Sequence, residues 1–392
     1  MSNSISRRAS RAGLRILVIR PDRLGDVVLS TPVFEVIKRH YPDSHLTLVV
    51  RESVAPVVRG LPSIDEVLIF DPEKRHAGFR GFLRLVEDFR KGNYRIAVVL
   101  QGNMKIAAAT FFSNIRYRVG PLSKIYSYFL FNRGIRQHRS QVEMHETDYN
   151  LQLLRRLGIR VSSRRVPLRV SVPDEKRAQA RAWLLGKGWN PEQPLVAVHP
   201  GMGGSALNWP ETHYVEFVRT LLKEGRQVLL TGGPAEVSLL NRIGDALGPL
   251  KEKAIFYSNT EPVGGLGATL EFFAGLISHV SLMVAPSTGP LHLAVALDRP
   301  VLTFYPPIRV QSAIRWGPYL KDESRASVMV PDVYCGQDFK CLGNLCNYFP
   351  CMKSLTVTQA LDQANQQLAK RSLEIADQVA KEMAPEKVPE KV

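Results

Sequence analysis

A chain of 392 residues with 45% hydrophobic and 22% charged positions is too long for one compact core and suits two ordinary domains. Apolar runs such as Ile16 to Ile19, Ala97 to Leu100 and Val228 to Leu230 are a few residues long, against roughly 20 needed to cross a bilayer, so no spanning segment is expected. The net charge is +16, and between Glu73 and Ser140 fourteen Lys or Arg stand against three Asp or Glu, so this stretch is expected to face something anionic. A phosphorylated glycolipid on a membrane surface fits that charge. No zinc finger, recognised basic helix or aromatic RNA-binding motif accompanies it, which argues against nucleic acid. A solvated basic face without a partner stays open.

Residues 1–13 read as a basic disordered tail, because Arg20, Asp22 and Arg23 interrupt the apolar stretch that a secretory leader would need. A strand over Leu14 to Ile19 and a turn over Pro21 to Gly25 lead into one helix running through Tyr41. Strands follow at Leu46 to Val50, Glu66 to Phe70 and Arg95 to Leu100, the last after a helix near Phe79 to Lys91. Strands separated by helices of this length predict a parallel sheet covered on both faces. The pattern restarts with a strand at Leu195 to His199, a loop from Pro200 to Pro210, a helix over Glu211 to Glu224 and a strand at Gln227 to Thr231. A strand near Leu282 to Ala285, a helix over Pro290 to Ala296 and a strand at Val301 to Phe304 complete it. Arg160 to Pro173 reads as a strand plus linker holding the hinge. The expected organisation is therefore α/β, with an acceptor-binding domain over 14–170, a nucleotide-binding domain over 171–377 and a disordered tail over 378–392.

Open α/β sheets bind ligands at the carboxyl ends of their strands, which confines the search to three loops. Arg23-Leu24-Gly25-Asp26 follows the first strand; Gly25 permits close backbone approach, and Asp26 reads either as a cap at a helix N-terminus or as a base for a sugar hydroxyl. His199 to Pro210 contains Gly201, Gly203, Gly204 and Ser205, whose N–H groups are open to phosphate or sugar. Ser287-Thr288-Gly289-Pro290-Leu291-His292 starts a helix at Pro290, so a diphosphate fits its unpaired donors and dipole; His292 reads as facing the phosphates or as a packing residue.

All four cysteines, Cys335, Cys341, Cys346 and Cys351, share one window, with five, four and four residues between them. A thiolate metal site, reduced thiols packing a loop, and disulfides are all compatible with these spacings.

Taken in order, Arg23-Leu24-Gly25-Asp26 with Pro32, His199-Pro200-Gly201 with Trp209-Pro210, Gly232-Gly233-Pro234-Ala235-Glu236, Thr288-Gly289-Pro290-x-His292 and Arg315-Trp316-Gly317-Pro318 resemble glycosyltransferase family 9, the ADP-heptose:lipopolysaccharide heptosyltransferases. The resemblance implies a GT-B fold, two Rossmann-like domains facing each other across a crevice. It also implies an inverting transfer of a heptose or related sugar from an ADP-sugar to a lipopolysaccharide core or similar anionic glycolipid, by a cytoplasmic enzyme touching the inner face of the membrane. Asp26 would be the catalytic base. Gly201, Ser205, Asn208, Glu236, Ser287, Thr288, Gly289 and His292 would hold the donor, and Arg23, Arg116 and Arg118 the acceptor. No cofactor would be required for catalysis; a structural zinc or iron at the cysteines is the one metal implied, through a protein-heptosylating branch that carries iron. Two positions depart from the family: Ser287 stands where an Asp is usual, and Asn208 where a Lys or Arg often precedes Trp-Pro. Another donor sugar, a protein acceptor, or a catalytically silent glycan- or membrane-binding relative are the alternatives these departures keep in view. Arg309 or Arg315 would be the compensating cation.

Overall fold

A computed structural model describes residues 13–161, 166–258 and 269–383. The first half runs β1 (Arg15–Ile19), α1 (Leu24–Val28), α2 (Thr31–His40), β2 (His45–Val50), β3 (Glu66–Ile69), α3 (Gly78–Lys91), β4 (Ile96–Val99), α4 (Met104–Phe112), β5 (Tyr117–Val119), α5 (Ile125–Leu130) and α6 (Glu146–Leu153). The second runs α7 (Asp174–Gly186), β6 (Leu195–Val198), α8 (Glu211–Lys223), β7 (Gln227–Gly232), α9 (Val237–Leu247), β8 (Ile255–Ser258), α10 (Leu270–Ile277), β9 (Leu282–Val284), α11 (Gly289–Ala296), β10 (Val301–Phe304), α12 (Ala313–Trp316), β11 (Ala326–Met329) and α13 (Val357–Met383).

The strand orders are β3-β2-β1-β4-β5 and β11-β10-β9-β6-β7-β8, and every pairing is parallel. Both sheets therefore have the doubly wound order. Their topological switch points fall between β1 and β4 and between β6 and β9, where a crevice opens beyond the strand ends. The strands read as unbroken apolar runs because helices cover both faces. Ile16, Val18, Leu48 and Val98 point into one core; Leu17, Ile19, Ala97 and Val99 point into another, against Leu85 and Phe89 of α3 and Ile106 and Ala109 of α4.

The first of these cores does not stop at the domain. It continues through Val166, Leu168 and Val172 into Ala180, Leu184, Leu195, Met283, Leu291 and Leu293 of the second half. The outer face of the second sheet has its own core, from Val196, Val228 and Phe304 to Ala360, Ala364 and Leu368 of α13.

Three expectations change. The helix from Gly25 to Tyr41 is two helices, because Pro32 in the first turn of α2 cannot supply the N–H that a continuous helix needs. Ser30 Oγ and Thr31 Oγ1 donate to the carbonyls of Asp26 and Val28 at 2.7 and 2.8 Å, closing α1 after little more than one turn. Residues 166–173 form no strand; they pack as extended chain on the first half, with Arg169 N–H on Thr31 Oγ1 at 3.0 Å and Ser171 N–H on the Val57 carbonyl at 2.8 Å. The last helix runs to Met383, past the tail expected from 378, while residues 1–12, 162–165, 259–268 and 384–392 lie outside the described residues.

Candidate active site

The loops after β1, β6, β7 and β9 meet on one cavity of about 770 Å³. Its lining includes Arg23, Gly25 and Asp26 from the first half and His199, Ser205, Glu236, Ser287, Thr288, Gly289 and His292 from the second. Two glycines let the halves approach this closely. A Cβ at Gly25 would lie 3.1 Å from His292 Cδ2 and 3.4 Å from Gly289 Cα, and one at Gly289 would lie 3.0 Å from Leu24 Cβ. The starts of α1 and α11 are thus in backbone contact, which delivers Asp26 to the mouth of the helix that carries Thr288 and Gly289.

Asp26 is held by charge. Its Oδ1 accepts from Arg20 Nη2 at 2.6 Å, and Arg20, only 2% exposed, lies 3.4 Å from Glu146 Oε1 and 3.1 Å from Asp22 Oδ2. Glu146, 1% exposed, also takes Arg139 at 2.6 Å and, from the second half, both Arg315 Nε and Nη2 at 3.1 Å. Three guanidinium groups stand against three carboxylates. Burial works against the Arg20 charge, and Asp26, Glu146 and Asp22 more than offset it, so its pKa rises. Burial likewise opposes ionised Glu146, yet Arg139, Arg20 and Arg315 bring its pKa below the usual carboxylate value. A buried charge this well paired stays ionised, and removing one partner would leave the rest exposed to the full cost of desolvation. Neighbouring contacts bind the same surfaces: His145 Nε2 meets the Gly317 carbonyl at 2.9 Å, and Tyr319 donates to Asp148 at 2.8 Å.

The second-half wall is built differently. Thr288 occupies the N-cap position of α11 without capping it; its hydroxyl donates instead to the Pro286 carbonyl at 3.2 Å. The helix start therefore presents unpaired N–H groups and its positive dipole end to the cavity. His292, buried one turn in, has its pKa pushed down to about 3 by burial and by His145, so its ring is neutral at pH 7. Its Nδ1 has no hydrogen-bond partner among the described residues. Opposite, Glu236 accepts from Gly233 N–H at 2.8 Å and lies 3.3 Å from His199 Nε2; that histidine contact, with the Gly233 bond, lowers its pKa despite burial. Gly201 lies under this carboxylate, where a Cβ would come within 1.9 Å of Glu236 Oε1.

Not every expected residue reaches the cavity. Gly201 and Asn208 are absent from its lining: Gly201 packs against the Glu236 carboxylate, and Asn208 Nδ2 donates to the Pro200 carbonyl at 2.7 Å, while its Oδ1 accepts from Trp209 N–H at 2.8 Å and Tyr214 O–H at 3.1 Å. Asn208 pins the loop that Trp209, stacked on Phe304 at 4.2 Å, anchors below. Ser205 does line it, closing the same loop through Oγ on the Met202 carbonyl at 3.0 Å. Arg116 and Arg118, expected at the acceptor, do not line the cavity, since β5 is the edge strand beyond β4. Arg118 is committed to the Leu130 and Ile115 carbonyls at 2.7 and 2.6 Å and stacks over Phe111. The compensating cations are committed too, Arg315 to Glu146 and Arg309 to Asp338 at 3.7 Å. Sequence reasoning missed Arg20, Arg139, Glu146 and His199 as parts of the site: Arg20 stands only 6 positions before Asp26 and Arg139 only 7 before Glu146, but the contacts that join them into one cluster, Arg20 with Glu146 over 126 positions and Arg315 with Glu146 over 169, leave no local mark.

The four cysteines, free of disulfides, line one pocket of about 10 Å³ with Leu207, Ile308 and Phe349. Gly343 N–H donates to Cys341 Sγ at 3.2 Å, and burial together with the other three cysteines raises the Cys351 pKa. The thiols gather as the window suggested. Among the described residues, however, no group of three or more His, Cys, Asp or Glu is arranged to hold a metal ion, so the expected zinc or iron has no cage here and enters no step below.

Two parallel, doubly wound sheets facing a common cavity at their switch points define the GT-B class of glycosyltransferases. The solved Escherichia coli ADP-heptose lipopolysaccharide heptosyltransferase II shares this fold, with a TM-score of 0.73 at 21% identity over 92% of this chain and all of that one. The model of glycosyltransferase family 9 (heptosyltransferase) matches residues 82–345, and the chain belongs to that family. A Haemophilus influenzae protein carrying the provisional name glycosyltransferase is 30% identical over 312 residues, 78% of this chain and 86% of its own length. Lipopolysaccharide heptosyltransferase 2 of Salmonella typhimurium is 27% identical over 298 residues, 75% of this chain and 83% of that one. The protein is a glycosyltransferase.

Proposed function

We propose that the protein transfers a heptose from an ADP-sugar to a hydroxyl of a lipopolysaccharide core or similar phosphorylated glycolipid, at the inner face of the cytoplasmic membrane, with inversion. One observation carries the reading: a carboxylate held by the buried Arg20 and an uncapped helix start meet on one cavity through the Gly25–Gly289 contact. The names of the relatives, which specify ADP-heptose and lipopolysaccharide, support the choice of donor and acceptor.

The acceptor enters from the first half, beside Arg23, and the donor lies on the second. Asp26 takes the proton from the acceptor hydroxyl as its oxygen attacks the anomeric carbon and the bond to the diphosphate breaks. Arg20 positions the carboxylate through the 2.6 Å bond that its Nη2 donates to Asp26 Oδ1. Charge then develops on the leaving diphosphate, where the N–H groups at Gly289 and Leu291, the Ser287 hydroxyl and the dipole of α11 receive it. Neutral His292 acts there as a hydrogen-bonding group and not as a cation. Glu236, beside Gly201 and His199, faces the nucleoside side of the cavity.

Ser287 favours one second reading, a different donor sugar, since an uncharged hydroxyl stands where the family usually has a carboxylate. Incubation with ADP-heptose and a heptose-acceptor core, followed by ADP release and product mass, tests the first reading. Turnover with another nucleotide sugar and none with ADP-heptose would replace it by the second.

A further inference from the structure

Helices α3, α4 and α5 bury their inner sides on the first half, and their outer sides stay bare. Phe79 is 74% exposed, Ile125 83% and Phe129 76%; Met104, Phe112 and Leu83 are each at least half exposed. Single exposed apolar residues mean little, but these are joined. The ring of Phe82 lies 6.4 Å from Phe79 on α3 and 6.1 Å, edge-on, from Phe112 on α4, and α5 packs against α4. The apolar patch joins α3 to α4, and the exposed Ile125 and Phe129 stand on the neighbouring α5. This face belongs to the stretch with fourteen basic and three acidic residues.

The charges sit within the apolar surface. Arg80 and Arg84 alternate with Phe79 and Leu83 on the exposed side of α3, and Lys124 immediately precedes Ile125. None of the three has a carboxylate partner among the described residues. The two acids of α3 are already engaged, Glu87 with Lys91 at 2.8 Å and Asp88 with Arg75 at 2.8 Å. A second copy of this chain is a poor occupant, because a self-complementary contact would set these cations against their own kind. Nucleic acid would leave Leu83, Met104 and Ile125 without a role. An anionic bilayer satisfies both components, apolar side chains below the headgroups and Lys and Arg among the lipid phosphates.

We infer that the outer face of α3, α4 and α5 is the surface on which the protein rests on an anionic lipid bilayer, with Phe79, Ile125 and Phe129 inserted and Arg80, Arg84 and Lys124 at the headgroups. Met104 opens α4 directly after the loop at the carboxyl end of β4, the end of the sheet at which the cavity lies, so a lipid-borne acceptor would stand on the cavity side of the docked face. The inference extends the lipid-acceptor reading of the same protein, and its test is separate from that reading.

The test is co-sedimentation of the full chain with vesicles of phosphatidylethanolamine and phosphatidylglycerol, against vesicles of phosphatidylcholine alone. Binding to the anionic vesicles is expected, weakening as salt is raised. The triple variant Phe79→Ser, Ile125→Ser, Phe129→Ser is expected to bind at least about tenfold more weakly with an unchanged Tm, since it removes the apolar area that enters the headgroup boundary. Its turnover of a delipidated, water-soluble acceptor is expected to match that of the wild type. Arg80→Glu with Arg84→Glu, which disturbs no apolar contact, is expected to remove the preference for anionic lipid. Wild-type binding by the triple variant, or equal binding of both vesicle types by the wild-type protein, overturns the inference. So does a triple variant that loses only self-association in sedimentation velocity, which would assign the face to a second copy. Vesicle binding that follows the inference, with no transfer to any core glycolipid, would leave the docking face standing and remove the acceptor reading alone.

Discussion

The two walls of the cavity solve opposite problems. The first-half wall sets charge against charge: Asp26, Arg20, Glu146, Arg139 and Arg315 form one largely buried cluster, and the last of these is contributed by the other half. The second-half wall leaves its helix start uncapped, and His292 Nδ1, buried one turn in, has no hydrogen-bond partner among the described residues. A group that must accept a proton at a fixed place is best over-determined, whereas a surface that receives a polyanion works only if its donors have no other partner. The difference therefore separates the chemical role of the two halves, and it can be broken from either side.

The largest effect is expected at Asp26. Asp26→Asn keeps the bond from Arg20 but cannot take a proton, and kcat should fall by about 10²- to 10⁴-fold with ADP affinity unchanged. Retained turnover would remove the assigned base. Next comes Glu146→Ala, which takes the shared carboxylate from Arg139 and Arg315 and leaves Arg20 with Asp26 and Asp22; by the usual cost of breaking a buried pair, urea denaturation should show a loss of about 3–5 kcal/mol. A variant as stable as the wild type would show that water already carries that charge. Smaller is Gly289→Ala, whose Cβ at 3.0 Å from Leu24 forces the halves apart by a few tenths of an ångström. Activity should fall about tenfold while Tm changes little, because misplacement of reacting groups costs more in rate than in stability.

The smallest effect is a pH slope. Folded His292 stays neutral down to about pH 3, while the unfolded chain protonates it near 6.5. Protons are thus taken up on unfolding between those values. Stability is full above pH 6.5 and falls towards pH 3, on the order of 1 kcal/mol per pH unit from this group. Denaturant titrations of wild type and His292→Gln at pH 7 and pH 5 check it, the variant lacking that part of the loss. An identical loss in both would place a ligand-independent partner on Nδ1.

Much of this architecture was readable along the chain. Unbroken apolar runs such as Leu195 to Val198 and Val301 to Phe304 are the mark of strands covered on both faces, and their loops carry the glycines that backbone contact requires. Short segments were not anticipated: α5, α6, α10 and the edge strand β5 are eight residues or fewer, too short for an apolar period to show, whether apolar like α5 and α10 or mixed like α6. Pro32 stood in plain view as a helix breaker, yet the apolar periodicity on both sides of it read as one helix.

The sequence by itself determined two α/β halves, the three loops that line the cavity and the family, because these depend on local periodicity, on glycine and proline at turns, and on short ordered motifs. Only the tertiary structure decided which polar residues serve the ligand and which serve the fold. Asn208 and Arg118 spend their hydrogen bonds on nearby carbonyls; Glu146 and Arg315, 169 positions apart, brace Asp26 through Arg20. Burial and pairing across such separations follow from the docking of two domains, and no local pattern records them.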